Sequence, residues 1–171
     1  MDLLVRIAGF DSIDEMEAAR EDRYWDSLTC ALNDREFAAC YLMGYAIEIL
    51  VKTAFFRFDG IHAGADLRPS LRVARRHPRF TQPTGLSTIQ AHGIHNVRAW
   101  GDLLIDARQR AGPARAMDPI LAGKLVYELR WVENNWSETL HYRRSIPAAE
   151  EIARLLSIAD WLRTHYSAFW S

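Results

Sequence analysis

The segment from Asn134 to Arg144, NNWSETLHYRR, concentrates side chains that can carry out chemistry. It holds an imidazole at His141 and guanidinium groups at Arg143 and Arg144. An imidazole exchanges protons near neutral pH, and a guanidinium binds phosphate oxygens through paired hydrogen bonds. The segment is therefore suited either to binding a phosphate group or to cleaving a phosphodiester bond.

A second set of polar residues interrupts the most apolar part of the chain. Gly44, Glu48 and Lys52 are four residues apart, so in a helix they lie on one stripe. Charged side chains are rarely buried without a partner, which favours a Glu48–Lys52 ion pair where the helix meets solvent, with Gly44 admitting a close neighbour. The alternative places Glu48 or Lys52 at the floor of a pocket for a nucleotide or RNA phosphate.

Helix start and end signals predict the elements that must position these residues. Ser12 and Glu15 form a capping-box pattern, Asp118-Pro119 has the form of an N-cap followed by proline, and Pro147 precedes the last helix. Together with apolar spacing, these signals predict five helices. The first three run from Ser12 to about Leu32, from Asn33 to about Phe56, and from His95 or Asn96 to Gly112. The fourth begins at Asp118, and the fifth runs from Pro147 to about Tyr166. The second, most apolar helix is expected to be central.

Glycines and prolines interrupt the helical pattern between about residues 58 and 93, which predicts a long Arg/Pro-rich insertion or loop. We predict an all-α fold: an antiparallel bundle of about five helices and a single domain over residues 1–171. Five arginines lie between Arg68 and Arg79, with no acid among them. This segment is interpreted either as a solvated, mobile loop or as an RNA-phosphate arm with Phe80 available for stacking.

Composition excludes several classes of function. The net charge of -1 gives no overall field that would attract nucleic acid or a membrane, so a nucleic-acid site must be a local patch. The longest apolar stretch, Phe37 to Ile47, meets Glu48 before the ~20 residues of a membrane span, and no leader pattern is present. We expect a cytoplasmic protein without a membrane segment. His92 and His95 have no Cys or carboxylate cluster beside them, so neither a metal nor a cofactor is predicted.

Three short motifs, in this order, resemble the HEPN family, named for nucleotide binding in higher eukaryotes and prokaryotes. Gly44–Lys52 is similar to a G-Y-x-x-E-x-x-x-K run in the second helix, and His95–Val97 to a His-Asp-Leu turn that opens the third. Trp136 followed by His141–Arg143 is similar to a tryptophan or tyrosine before an Arg-Tyr pair, with histidine where arginine is usual. The resemblance covers about residues 20–166 and implies a helical bundle.

The resemblance also implies a homodimer, possible pairing with a nucleotidyltransferase, and possible roles in toxin–antitoxin or defence systems. Many members are metal-independent ribonucleases with an arginine followed four to six residues later by a histidine near a late helix. Arg57 with His62 and Arg72 with His77 have this spacing, but chance predicts about as many matches, and neither pair lies on a late helix. We therefore do not assign them a catalytic role.

We predict an RNA- or nucleotide-binding protein without ribonuclease activity of its own. The expected ligand-binding residues are Lys52, His95, Arg98, Trp136, His141, Arg143 and Arg144. One alternative is an active ribonuclease that uses His141 or His95, with Arg143 or Arg144 on the phosphate. The other is a structural dimerisation module whose aromatic side chains are buried in an interface, with Trp136 packing the end of the fourth helix.

Overall fold

The computed structural model describes residues 12–81, 93–137 and 147–171. Every regular element within these ranges is helical, which confirms the all-α prediction. The helices are α1 (Ile13–Leu32), α2 (Glu36–Phe58), α3 (Arg68–Ala74), α4 (Pro78–Thr81), α5 (Val97–Arg110), α6 (Pro119–Asn135), α7 (Ala149–Thr164) and α8 (Tyr166–Trp170). Short 3-10 turns at Gly93–His95 and Pro113–Arg115 precede α5 and α6.

Local hydrogen bonds explain where several helices begin. The Ser12 hydroxyl accepts from the backbone N–H of Glu15, whose carboxylate accepts from the N–H of Ser12, so the predicted capping box is confirmed. Asn96 caps α5 by accepting from Ala99 N–H at 2.9 Å. Asp118 caps α6 and Pro119 takes its first position, as the sequence predicts.

Helix α2 is the central element, as expected from its apolar sequence. It packs against α1, α5, α7 and α8. By length and composition α2 could cross a membrane, but 72% of its most apolar window is buried inside the structure. Burial by other helices of the same chain is typical of the core helix of a globular protein.

The prediction of a loop without helices between about residues 58 and 93 is wrong for its described part. Pro69 lies in the first turn of α3, where proline is compatible with a helix, so it helps start the element that it was expected to interrupt. Leu67 and Phe80 are buried in the core, and the Phe80 ring lies 4.8 Å from that of Trp100. Phe80 is therefore a core residue, and its predicted stacking role is wrong.

Candidate functional site

Glu48 and Lys52 form the predicted ion pair on α2, but the pair lies in the interior. Their side chains are only 3% and 8% exposed, so the expected position at the solvent boundary is wrong. Lys52 Nζ donates to Glu48 Oε1. The buried position follows from the packing of α5 over this face of α2, which places Lys52 Nζ 5.7 Å from the Trp100 ring centre.

His95 is the second partner of Glu48. Its Nδ1 lies 3.1 Å from Oε1 and 3.2 Å from Oε2 of the Glu48 carboxylate. An ionised carboxylate can only accept, so Nδ1 carries the hydrogen in this contact and Nε2 is the nitrogen left for other chemistry. The His95 side chain is 37% exposed. The Glu48–His95 dyad is thus a partly exposed imidazole whose tautomer is fixed by a buried carboxylate.

Arg98 is paired inside the protein. Its Nη1 lies 3.2 Å from Oε2 of Glu133 on α6, and Glu133 also accepts from Asn96 Nδ2 at 3.2 Å. Glu133 is buried, so this contact ties the start of α5 to the end of α6. The predicted direct contact between Arg98 and a ligand would have to compete with a buried carboxylate, and such pairs are costly to break.

Two further carboxylates extend the polar cluster along α5. Arg79 on α4 donates to Asp102 Oδ2 at 3.1 Å and to Asp106 Oδ2 at 2.5 Å. Burial raises the pKa of Asp102, opposed by the positive charges of Arg79 and Arg98 and reinforced by the negative charges of Asp106 and Glu133. The contact with Arg79 joins α4 to α5.

We call the following set the polar cluster: Glu48, Lys52, Arg79, His95, Asn96, Arg98, Asp102, Asp106 and Glu133. Its carboxylates outnumber its Lys and Arg side chains by one, and each of those cations contacts a carboxylate. An anion therefore finds no unpaired Lys or Arg in this cluster. The group of this cluster that can bind or exchange a proton with a ligand is the partly exposed imidazole of His95.

Trp136 is fully buried, so its predicted contact with a ligand is wrong, whereas its predicted packing at the end of the fourth helix is confirmed. It follows the last residue of α6, and its Nε1 donates to the backbone carbonyl of Tyr41 at 3.3 Å. The ring of Tyr45 lies 5.2 Å from the ring of Trp136 and 6.2 Å from that of His95. The Tyr45 ring therefore links Trp136 to His95, two residues that were predicted to belong to the same site.

His141, Arg143 and Arg144 lie outside the described residues. The structure thus brings together Lys52, His95, Arg98 and, through Tyr45, Trp136 among the predicted site residues. Within the described ranges, no group of three or more His, Cys, Asp or Glu side chains could hold a metal ion.

Sequence reasoning missed three members of the polar cluster, Asp102, Asp106 and Glu133. Glu133 follows Val132 on the buried side of α6, and a charged residue beside an apolar stripe is a signal that a buried partner is needed. Asp102 is four residues after Arg98, the spacing of a helical ion pair, and the structure places the two groups 4.0 Å apart.

No protein-family model, curated protein or solved structure matches this chain. The described residues define an all-helical protein with a partly buried cluster of ion pairs that includes a partly exposed histidine.

Proposed function

We propose that the protein binds RNA or a nucleotide at an edge formed by His95 and by the chain that follows Trp136, as a HEPN-like antiparallel helical bundle would. The observation that carries this proposal is the Glu48–His95 dyad. It presents one imidazole nitrogen of a partly exposed side chain while the other nitrogen is held by a buried carboxylate. In this setting Nε2 can accept a hydrogen bond from a ribose hydroxyl, and in the protonated imidazole it can donate to a phosphate oxygen.

Chain connectivity supports including His141 and Arg143 in the same edge. Trp136 lies beside Tyr45, which also contacts His95. Five residues of fully extended chain span at most about 18 Å, so this distance limits how far the Cα of His141 can be from that of Trp136. Arg143 is only two residues further along the chain.

The charge balance of the polar cluster supports assigning phosphate affinity to Arg143 and Arg144. Lys52 and Arg98 both contact buried carboxylates, so they position the site and do not compensate the charge of a ligand. Two guanidinium groups on the following segment would supply the missing positive charge. Lys52 then acts through Glu48, which in turn orients His95.

The experiment is a salt series of binding to a labelled single-stranded RNA, measured by fluorescence anisotropy. Each phosphate contact on a single strand contributes about 0.7 to the slope of log K against log salt, so the Arg143→Gln/Arg144→Gln variant should reduce the slope by about 1.4. The matched control is Arg75→Gln/Arg76→Gln, which removes two exposed arginines elsewhere. An unchanged slope in the first variant and a reduced one in the control would instead assign RNA binding to the arginine-rich segment.

The HEPN resemblance extends the proposal to a cytoplasmic homodimer that partners a nucleotidyltransferase or works in a toxin–antitoxin or defence system. The molar mass in solution, measured by light scattering, tests the dimer independently of RNA. A dimer that binds neither RNA nor nucleotides would favour the structural-module alternative.

A metal-independent ribonuclease is the second candidate, and the Glu48–His95 dyad favours it. In this reaction His95 Nε2 takes the proton of a ribose 2′-hydroxyl, the 2′-oxygen attacks phosphorus, and the bond to the 5′-oxygen breaks as that oxygen takes a proton from His141. The products are a 2′,3′-cyclic phosphate and a 5′-hydroxyl. Cleavage lost in both His95→Ala and His141→Ala supports this activity, and binding without cleavage in the wild-type protein rejects it.

A further inference from the structure

A cavity of about 430 Å³ lies between α2, α3 and α5, apart from the polar cluster. It shares no lining residue with that cluster. Sites for small molecules are concave, mostly apolar and usually about 300–1,000 Å³ in volume. The cavity is therefore large enough to hold a small organic molecule.

One wall of the cavity is apolar and packs on the core. Phe55 and Phe56 form part of the lining, and their rings lie 5.6 Å and 5.4 Å from that of Trp100, which is fully buried. Val73 lies on the opposite wall, on α3, with 71% of its surface exposed. An apolar ligand in the cavity would cover this exposed side chain.

The described lining of the cavity includes one guanidinium group that can pair with an anion. Arg110 lies in the lining and donates from Nε to the backbone carbonyl of Asp106 at 3.2 Å, and His77 and Ser70 also line the cavity. Asp59 is the only carboxylate among the described residues that line the cavity. Arg110 contacts no carboxylate of the described residues, so it retains its capacity to pair with an anion.

The arginine-rich segment adds to the positive charge on this side of the molecule. Arg72, Arg75 and Arg76 are exposed on α3 and the turn after it. Ion pairs of the described part of this segment involve only Arg68 and Arg79, so these three arginines have no acidic partner there. An unpaired positive patch beside an apolar cavity raises the local concentration of small anions.

We propose that this cavity binds a small amphipathic anion, meaning a molecule with a flat or chain-like apolar body and a phosphate or carboxylate head. The body lies between Val73 and the two phenylalanines, and the head pairs with Arg110. A nucleoside monophosphate and a medium-chain fatty acid share this chemistry. The site is independent of the proposed RNA-binding edge.

The test is isothermal titration calorimetry on the full chain with adenosine monophosphate and decanoate, each compared with its uncharged counterpart, adenosine or 1-decanol. At least one of the two anions should bind, at least tenfold more tightly than its counterpart. The anion that binds shows whether the ligand is a nucleotide or a fatty acid. Absence of binding by both anions, or equal binding of the charged and uncharged forms, would overturn the proposal.

Two variants locate the binding site. Val73→Glu puts a negative charge on the cavity wall, and Arg110→Gln removes the positive partner, so each should weaken binding by tenfold or more. Both side chains are exposed, so neither substitution disturbs the core.

The matched controls are Ile120→Glu and Arg130→Gln on the exposed surface of α6, which should bind as wild type does. Equal affinity in Val73→Glu and Ile120→Glu would place the ligand elsewhere and overturn the assignment. The Arg143→Gln/Arg144→Gln variant should keep this affinity whatever its effect on RNA binding.

Discussion

The indole of Trp136 occupies the space that a side chain at Gly44 would need. A Cβ atom at Gly44 would lie 2.0 Å from Nε1 and 2.1 Å from Cε2 of the indole, far inside van der Waals contact. The same indole donates to the Tyr41 carbonyl one turn earlier on α2. Gly44 therefore lets the residue that ends α6 lie directly against the backbone of the central helix.

The first prediction compares two helical glycines with opposite surroundings. Gly44→Ala should reduce the free energy of unfolding by about 1–3 kcal/mol, because the indole must move and core overpacking costs that much. Gly123→Ala on α6 should increase it by up to about 1 kcal/mol, because alanine favours helix and nothing lies within 4 Å of the new Cβ. Urea denaturation followed by circular dichroism measures both. Equal effects of the two substitutions would contradict the packing of Trp136 on Gly44.

The second prediction concerns the buried ion pair of Glu48 and Lys52. Replacing one member leaves the other charged and buried, so Lys52→Met alone or Glu48→Leu alone should cost about 3–5 kcal/mol. The double variant Glu48→Leu/Lys52→Met leaves no orphaned charge and should recover most of this loss. The measurement is the free energy of unfolding of all four proteins of the cycle.

A double variant as unstable as the sum of the two single variants would show that the pair is not coupled. The double variant also frees His95 from its carboxylate, so in the proposed function it should bind RNA less tightly although it is folded. The two readouts separate the stabilising role of the pair from its role in orienting His95.

The third prediction concerns Asp102, whose pKa is raised in the folded protein, first of all by burial. A raised pKa means that the folded state binds this proton more tightly than the unfolded state, so the associated stability is present below the ordinary value of 3.8 and is lost at higher pH. Asp102→Asn should therefore leave stability at pH 7 unchanged or increase it, by no more than about 1 kcal/mol. Arg79 keeps Asp106 as a partner, and Arg98 keeps Glu133.

Thermal unfolding at pH 7 and at pH 3 checks the Asp102 prediction. At pH 3 the aspartic acid is largely protonated, so the variant and the wild type should become equally stable. Asp106→Asn is the comparison variant, because it removes the other carboxylate that pairs with Arg79. A large loss of stability in Asp102→Asn at pH 7 would mean that its ion pairs outweigh the cost of burying it.

The parts of the fold that could be predicted from the sequence depend on neighbours in the chain. The caps at Ser12 and Asp118 each bond backbone groups within three residues, so local pattern is sufficient to identify them. The N-cap expected at Asn33 is wrong, because Asn33 closes α1 and Arg35 precedes α2 without a side-chain cap. The sequence pattern does not predict helices α3 and α4, because their stability depends on distant contacts. Leu67 and Phe80 are buried against the core, and single-sequence reasoning has no access to that packing.

The candidate site divides in the same way. The Glu48–Lys52 pair could be predicted because the two residues are one helical turn apart. The burial of this pair and the contact between Glu48 and His95 could not be predicted, because His95 is 47 residues from Glu48 in the sequence. The partner of Arg98 is likewise 35 residues away, at Glu133. Pairings at such separations are set by how helices pack, and the pattern along one helix does not specify them.

The fourth prediction concerns Tyr166 and alkaline pH. Burial, and then its hydrogen bond to the Glu17 carboxylate, raise the pKa of Tyr166 from 10.0 to about 12. Its hydroxyl also lies 3.1 Å from Thr53 Oγ1, so deprotonation would place a negative charge in a largely buried network. The unfolded chain loses this proton near pH 10, whereas the folded protein holds it to about pH 12. The contribution to stability is therefore full below pH 10 and falls by about 2 kcal/mol between pH 10 and pH 12.

Two phenylalanine variants test the assignment to Tyr166. Tyr166→Phe should be less stable at pH 7 by about 1 kcal/mol, because it loses hydrogen bonds, and its stability should fall less steeply above pH 10. Tyr24→Phe removes the other tyrosine whose pKa is raised, by burial and by its bond to Asp160, and should keep the part of the alkaline slope due to Tyr166. Urea denaturation at a series of pH values gives the slopes, and the ultraviolet absorbance of tyrosinate follows the ionisation directly. An alkaline slope in Tyr166→Phe parallel to that of the wild type would show that this hydroxyl does not control alkaline unfolding.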